Sequence, residues 1–277
     1  MIGFSFDYYV CDTIEEAVDL YGLLSLNGKR VLYFNGGTEI LTFADKNRIE
    51  FDAVIAVNQI PELKIFTLDD DALYIGAANT LTFIANTDVF PLLSDSCPFV
   101  ADHTSRNKIT IGGNLCGKIP FKNAVIPFFI SDTTVIIANQ EGIRNEPFLE
   151  VYNNGLHLQP GDLIVQFIIP RRVLNLPYYT QKLRKIGEFG YPLIGLSLVK
   201  DQGKLKAAFS AVCKNAFRSR QVEDALNDDT LPLNKRVDRA IHNIPCSIVS
   251  NLQGSAPYKK FVLKQQLVEA LTQLEGE

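Results

Sequence analysis

Three observations in the sequence predict an α+β fold. The chain opens on a β–α–β pattern, its middle is filled by short apolar strands, and from about residue 177 a run of strands is followed by a run of helices. Strands and helices segregated in that last way mark a separate α+β unit, so a boundary is expected between 170 and 177. With 277 residues the chain is long enough for two or three cored units. Its 47% hydrophobic and 21% charged residues are those of an ordinary globular protein. A net charge of −4 with scattered basic residues argues against a nucleic-acid partner. No apolar run reaches membrane-spanning length, and the first residues carry no basic region followed by an apolar one, so neither a membrane span nor a signal peptide is expected.

Residues 4–10 read as a strand. Thr13 and Glu16 then form a capping box, and Ala17, Val18, Leu20, Tyr21 and Leu24 recur at helical spacing until Asn27-Gly28 ends the helix. The chain returns as a strand over 31–34 and again over 51–57. Two runs flanking Asp69-Asp70-Asp71 read as a hairpin, Thr80 starts a helix, and further helical segments are expected near 90–103 and 124–129. The β-branched run 133–138 and the run 163–170 are strands, the second entered through the turn Pro160-Gly161-Asp162. Beyond it, 178–183, 193–200 and 205–212 form an antiparallel meander, followed by helices over 218–226, 234–241 and 258–274. The last of these has Phe261, Val262, Leu267, Ala270 and Leu271 on its apolar face.

Two stretches share one design. An apolar run enters Asn35-Gly36-Gly37-Thr38, and another, Ile109-Thr110-Ile111, enters Gly112-Gly113-Asn114. Paired glycines bring bare backbone N–H groups close to a ligand, and successive amides form an anion site. Neither stretch fits the G-x-G-x-x-G or P-loop templates. Two turns converging on the phosphates of one dinucleotide and two unrelated tight turns are both open on this evidence. The cysteines (Cys11, Cys97, Cys116, Cys213 and Cys246) are odd in number, with no C-x-x-C pair. That excludes a local zinc or iron–sulfur loop and fits a reducing cytoplasm, with most of them acting as small buried hydrophobes.

Several ordered segments carry a resemblance. They are Phe34-Asn35-Gly36-Gly37-Thr38-Glu39-Ile40, Tyr74-Ile75-Gly76-Ala77-Ala78-Asn79-Thr80, Ser105-Arg106-Asn107-Lys108-Ile109-Thr110-Ile111-Gly112-Gly113-Asn114-Leu115, Pro160-Gly161-Asp162-Leu163-Ile164, Gln181-Lys182-Leu183-Arg184-Lys185 and Ala216-Phe217-Arg218. In this order they resemble the FAD-binding subunit of the xanthine dehydrogenase and carbon monoxide dehydrogenase group of molybdenum hydroxylases. The resemblance implies an FAD fold of the vanillyl-alcohol oxidase and p-cresol methylhydroxylase type. Its FAD-binding domain would cover 1–170, as subdomains of about 1–56 and 57–170, followed by a C-terminal α+β domain over 177–277.

The resemblance also implies the site residues. Tyr33, Phe34, Asn35, Gly36, Gly37, Thr38, Glu39 and Ile40, with Thr110, Ile111, Gly112, Gly113 and Asn114, would wrap the FAD pyrophosphate and adjoining groups through backbone amides. Glu39 would serve either the cofactor or the turn. Val100 and Cys116 would lie beside the cofactor, Cys116 as a packing residue; covalent attachment at Cys116 or His103 is a remote alternative. Ile164 would pack on the isoalloxazine, and Lys182 would approach the flavin's polar edge, where a cation stabilises the anionic reduced form. Asn123 stands where the family's S-P-x-x-D segment places aspartate, so an uncharged amide replaces an acid there. No catalytic base and no metal ligand are expected.

The implied partners are a large subunit with the molybdenum cofactor and a small subunit with [2Fe-2S] clusters, and NAD+ or another acceptor would receive the electrons. Xanthine dehydrogenase is the first expectation for the assembled enzyme. A carbon monoxide dehydrogenase-like enzyme, or another heterocycle or aldehyde dehydrogenase, is the close alternative. A flavin-free scaffold is the alternative of another class.

Overall fold

The computed structural model describes residues 2–185 and 190–276 and shows an α+β architecture built on three sheets. The first comprises β1 (Asp7–Val10), α1 (Ile14–Leu26), β2 (Val31–Phe34), α2 (Thr38–Asp45) and β3 (Ala53–Ala56). Its strands are all parallel, in the order β1-β3-β2. The Thr13 hydroxyl accepts the Glu16 N–H at 3.1 Å, while the Glu16 carboxylate reaches back to the N–H of Asp12. The cap is therefore one residue wider than a strict capping box. α1 buries Ile14, Ala17, Val18 and Leu24 against the sheet.

The middle region holds β4 (Phe66–Leu68), β5 (Ala72–Gly76), α3 (Leu81–Ala85), α4 (Pro91–Ser96), α5 (His103–Arg106), α6 (Ile111–Cys116), α7 (Ile126–Phe129), β6 (Thr134–Asn139), β7 (Gly142–Pro147), α8 (Phe148–Val151) and β8 (Leu163–Pro170). Its strands form an antiparallel sheet in the order β4-β5-β8-β6-β7. Phe128 stacks on Phe167 at 4.6 Å, inside a core that also takes in Ile111, Leu115 and Ile164. The strand expected over 109–111 is absent. Thr110 makes one isolated bridge to Thr80 and then caps a helix, because its hydroxyl takes the N–H of Gly113.

The last region holds β9 (Tyr178–Arg184), β10 (Pro192–Asp201), β11 (Lys204–Ser210), β12 (Phe217–Arg218), α9 (Arg220–Leu226), α10 (Leu233–His242) and α11 (Ala256–Gly276). The expected meander is present as an antiparallel sheet, β12-β11-β10-β9, covered by the three helices. α11 buries Leu263, Leu267, Ala270, Leu271 and Leu274, whereas Phe261, expected on that face, is 59% exposed. Arg172 and Lys206 both pair with Asp132 and Asp201, and so lock this sheet to the segments after β8 and α7.

Cys213 and Cys246 form a disulfide across 33 residues, which corrects the reading of the cysteines as unpaired packing residues. The pairing is set by how the loop after α10 folds back on the end of the sheet, and sequence spacing carries no trace of it. Cys11 and Cys97 are buried free thiols, as expected. Among the described residues, no helix is long and apolar enough to cross a membrane.

Candidate functional site

The first glycine turn leaves β2 and starts α2, a helix the sequence reading did not foresee. Gly37 sits at φ +66°, the left-handed position before the helix, and a methyl group there would lie 2.1 Å from the Phe34 ring. Gly36 is closer still to its neighbours, since a methyl group on it would lie 1.8 Å from the carbonyl oxygen of Lys108 and 3.6 Å from the Thr110 methyl. The two glycine stretches, far apart in sequence, thus meet in space. The first N–H groups of a helix have no acceptor within the helix, and the Asn35 and Thr38 side chains donate to nothing among the described residues. The 35–39 segment therefore presents a row of donors.

The second turn differs from expectation. The N–H of Ile111 donates to Asn79 O at 3.0 Å, Gly112 to Ala77 O at 3.0 Å, Gly113 to the Thr110 hydroxyl at 3.1 Å and Asn114 to Thr110 O at 2.8 Å. The first two of these amides dock α6 onto the 77–80 loop and the other two close the helix's own N-terminal cap, so they do not form the amide cradle predicted for them. A methyl group on Gly112 would lie 2.7 Å from Ala77 Cβ, which is why this docking requires glycine. What the turn offers instead is the Thr110 hydroxyl proton and the Asn114 side chain, whose buried Oδ1 has no partner.

Glu39 serves the turn. Its carboxylate accepts the N–H groups of Lys118 and Ile119 (3.1 Å for the latter), fastening α2 to the chain leaving α6. Asn123 is 3% exposed, and its Oδ1 also lacks a partner; a methyl group at Gly195 on β10 would lie 2.5 Å from it. Gly195 pairs across the sheet with Lys182. The Lys182 ammonium donates to Phe99 O and to Gly190 O (3.0 Å for the latter), leaving one of its three donors unused. Burial, helped by nearby Arg184 and Arg106, pushes Lys182 down to about 8. Arg106 gathers the carbonyls of Pro98, Val100 and Ala101, so the Val100 segment is held between two cations. The sequence reading passed over Arg106 as a functional residue, although it stands in the R-N-x-x-T-I-G-G-N stretch.

Other expected residues stand apart. The Tyr33 hydroxyl donates to Gly161 O at 3.0 Å and its ring stacks on Tyr21, so the side chain ties β2 to the turn before β8. Ile40 packs beneath α2 with Phe51 and Val54. Ile164 is 4% exposed within the central core. Cys116 is exposed, contrary to its expected packing role, because α6 turns Ile111 and Leu115 inward and the next residue out.

Free backbone donors, a buried hydroxyl, two orphaned amide oxygens and a spare lysine proton suit a ligand with a diphosphate and a hydroxyl-bearing chain. Two apposed glycine turns on an α+β frame are compatible with a dinucleotide-holding protein. The chain belongs to the family described as FAD binding domain in molybdopterin dehydrogenase, whose model matches residues 4–172. FAD is its cofactor, which sets aside the flavin-free scaffold alternative. The chain is 25% identical over 284 residues to the 6-hydroxypseudooxynicotine dehydrogenase complex subunit alpha of Paenarthrobacter nicotinovorans, covering 96% of this chain and 93% of that one. It is 24% identical to the carbon monoxide dehydrogenase medium chain of Hydrogenophaga pseudoflava, covering 98% and 97%. It is 23% identical to the xanthine dehydrogenase FAD-binding subunit of Escherichia coli O157:H7, covering 96% and 92%. Its fold is that of a chain in carbon monoxide dehydrogenase from Hydrogenophaga pseudoflava, with a TM-score of 0.88 at 22% identity over 100% of this chain and 99% of that one.

Proposed function

We propose that the chain is the FAD-binding electron-transfer subunit of a multi-subunit molybdenum hydroxylase, working beside a molybdenum-cofactor large subunit and a [2Fe-2S] small subunit. The observation that carries this reading is the full-length similarity to relatives named as subunits or chains of such dehydrogenases. The assembled enzyme is read as a xanthine dehydrogenase delivering electrons to NAD+ or another acceptor. A carbon monoxide dehydrogenase-like enzyme is the second reading, favoured by the full-length similarity to a carbon monoxide dehydrogenase medium chain. The location is read as cytoplasmic; the free thiols at Cys11, Cys97 and Cys116 favour it and the Cys213–Cys246 disulfide counts against it.

FAD, when bound, supplies the electron storage and transfer that no amino-acid side chain provides. The chain's residues hold and orient it. The 35–39 donors and the Thr110 hydroxyl would take the diphosphate, Asn114 and Asn123 would accept hydrogen bonds from hydroxyl groups, and Lys182 would place a positive charge and a free N–H at the flavin's polar edge. Val100, braced by Arg106, would lie beside the flavin near Lys182. None of these groups needs to act as a base or nucleophile.

Affinity capture of the tagged chain from its own cells, with metal and flavin analysis of what is captured, tests the reading. Co-capture of molybdenum- and iron-containing subunits, with NAD+ reduction driven by xanthine, supports it. Capture of the chain alone at full flavin content would overturn the complex-member reading, and turnover of carbon monoxide without xanthine would replace the substrate.

A further inference from the structure

Lys122 lies behind the second glycine turn and is 4% exposed. Its ammonium donates to three backbone carbonyls, Asn114 at 2.9 Å, Leu115 at 3.1 Å and Gly117 at 2.5 Å. Its own N–H donates to the Ser210 hydroxyl at the end of β11. An ammonium has three donors and a neutral amine has two, so only the charged form satisfies all three carbonyls. No carboxylate pairs with Lys122 among the described residues. The charged and titratable groups facing it are Cys116 on α6 and Glu39 on α2, and the Glu39 carboxylate already accepts two backbone N–H groups. Next in sequence is Asn123, neutral and with an orphaned oxygen. The C-terminal end of α6 is therefore held by a buried cation without an ion-pair partner, on the same short helix whose N-terminal Thr110 is read above as a diphosphate ligand.

We infer that Lys122 is a positioning residue that holds the second glycine turn in shape and couples FAD binding to the uptake of a proton. The inference rests on the FAD reading above. Burial pushes Lys122 down to about 8, against the opposing pull of Cys116 and Glu39. The negative diphosphate favours the cation and so raises that value in the bound state. The sign follows from linkage. FAD affinity is full below the value for the free chain and falls as pH rises through it, by at most about tenfold per pH unit, until the value for the bound state is reached. Lys182, also near 8 and flanked by Arg184 and Arg106, is the other group able to produce such a slope, and it serves as the control.

The test is titration of the full-length, FAD-stripped chain with FAD by flavin fluorescence, comparing the wild type with K122M, K122R and K182M. The wild type is expected to lose about 10- to 30-fold in affinity between about pH 7 and 9.5. K182M should keep that slope, K122R should bind tightly without it, and K122M should bind weakly and equally across the range. Amide exchange over residues 113–118 in the FAD-free chain provides a readout that does not involve the cofactor, with K122M exchanging faster than wild type at the same pH. If K122M retains the wild-type slope, or the slope vanishes in K182M, the proton coupling is overturned. If no form binds FAD, the FAD reading fails, and exchange then decides the positioning role alone, with equal rates in K122M and wild type overturning it.

Discussion

Replacing Gly36 with alanine puts the apposition of the two glycine turns under direct strain. The added methyl group would sit 1.8 Å from the Lys108 carbonyl oxygen, where 3.0 Å is the practical minimum, so the two segments must part by about 1.2 Å. The obstruction is backbone, with Lys108 C a further 2.9 Å contact, so no side-chain rotation relieves it. Forced overpacking of this kind costs about 1–3 kcal/mol. Felt as a loss of binding geometry, that energy corresponds to about 5- to 150-fold in FAD affinity. Felt as a loss of stability, it corresponds to a Tm lower by about 2–12 °C in a chain of this size. Flavin-fluorescence titration reads the first and thermal unfolding of the FAD-free chain reads the second. A G36A variant with wild-type Kd and wild-type Tm would refute the claim that the turns meet where the structure puts them, and wild-type Kd with lowered Tm would show that their meeting is structural only.

Gly113→Val would press a branched side chain on the Thr110 hydroxyl, 2.8 Å from the first added carbon. It is expected to abolish flavin retention while near-native circular dichroism persists, and normal flavin content would remove Thr110 and Gly113 from the cofactor. Lys182→Met should retain FAD but make its reduction potential more negative, as read by spectroelectrochemical titration, because the cation favouring the reduced flavin is gone; an unchanged potential would remove Lys182 from the flavin's edge. Asp162 is buried, which by itself raises its pKa, but Arg144, the Gln159 N–H and Asn139 outweigh this and hold its carboxyl below the usual range. Its stabilising contribution is therefore complete above the unfolded-state value of 3.8 and is lost as pH falls below it. Asp162→Asn should lower Tm at neutral pH, at a cost of about 1–3 kcal/mol, and should flatten the acid limb of the stability profile; an unaltered acid limb would contradict this role.

Most strands were legible because burial imposes a plain pattern. Leu163–Pro170 was marked to the residue by its apolar run between a Gly-Asp turn and a proline. β7 escaped because it is an edge strand whose residues, such as Arg144 and Glu146, read as loop. α2 escaped because its start depends on the left-handed Gly37, a backbone choice fixed by the Phe34 ring packed over it. At the site, the paired glycines announced close approach, but what approaches them is largely protein: Lys108 at Gly36 and Ala77 at Gly112. Arg106 and Lys122 were hidden for one reason, since a cation that collects backbone carbonyls leaves no complementary residue in the sequence to betray it.

The central proposal is that this chain holds its FAD between the two glycine turns. The most direct measurement is the visible absorbance spectrum of the purified chain, with the released cofactor identified by mass spectrometry and its amount compared with protein. One equivalent of FAD per chain, or its restoration by added FAD, is the predicted result. A chain that folds yet takes up no FAD in excess would contradict the account.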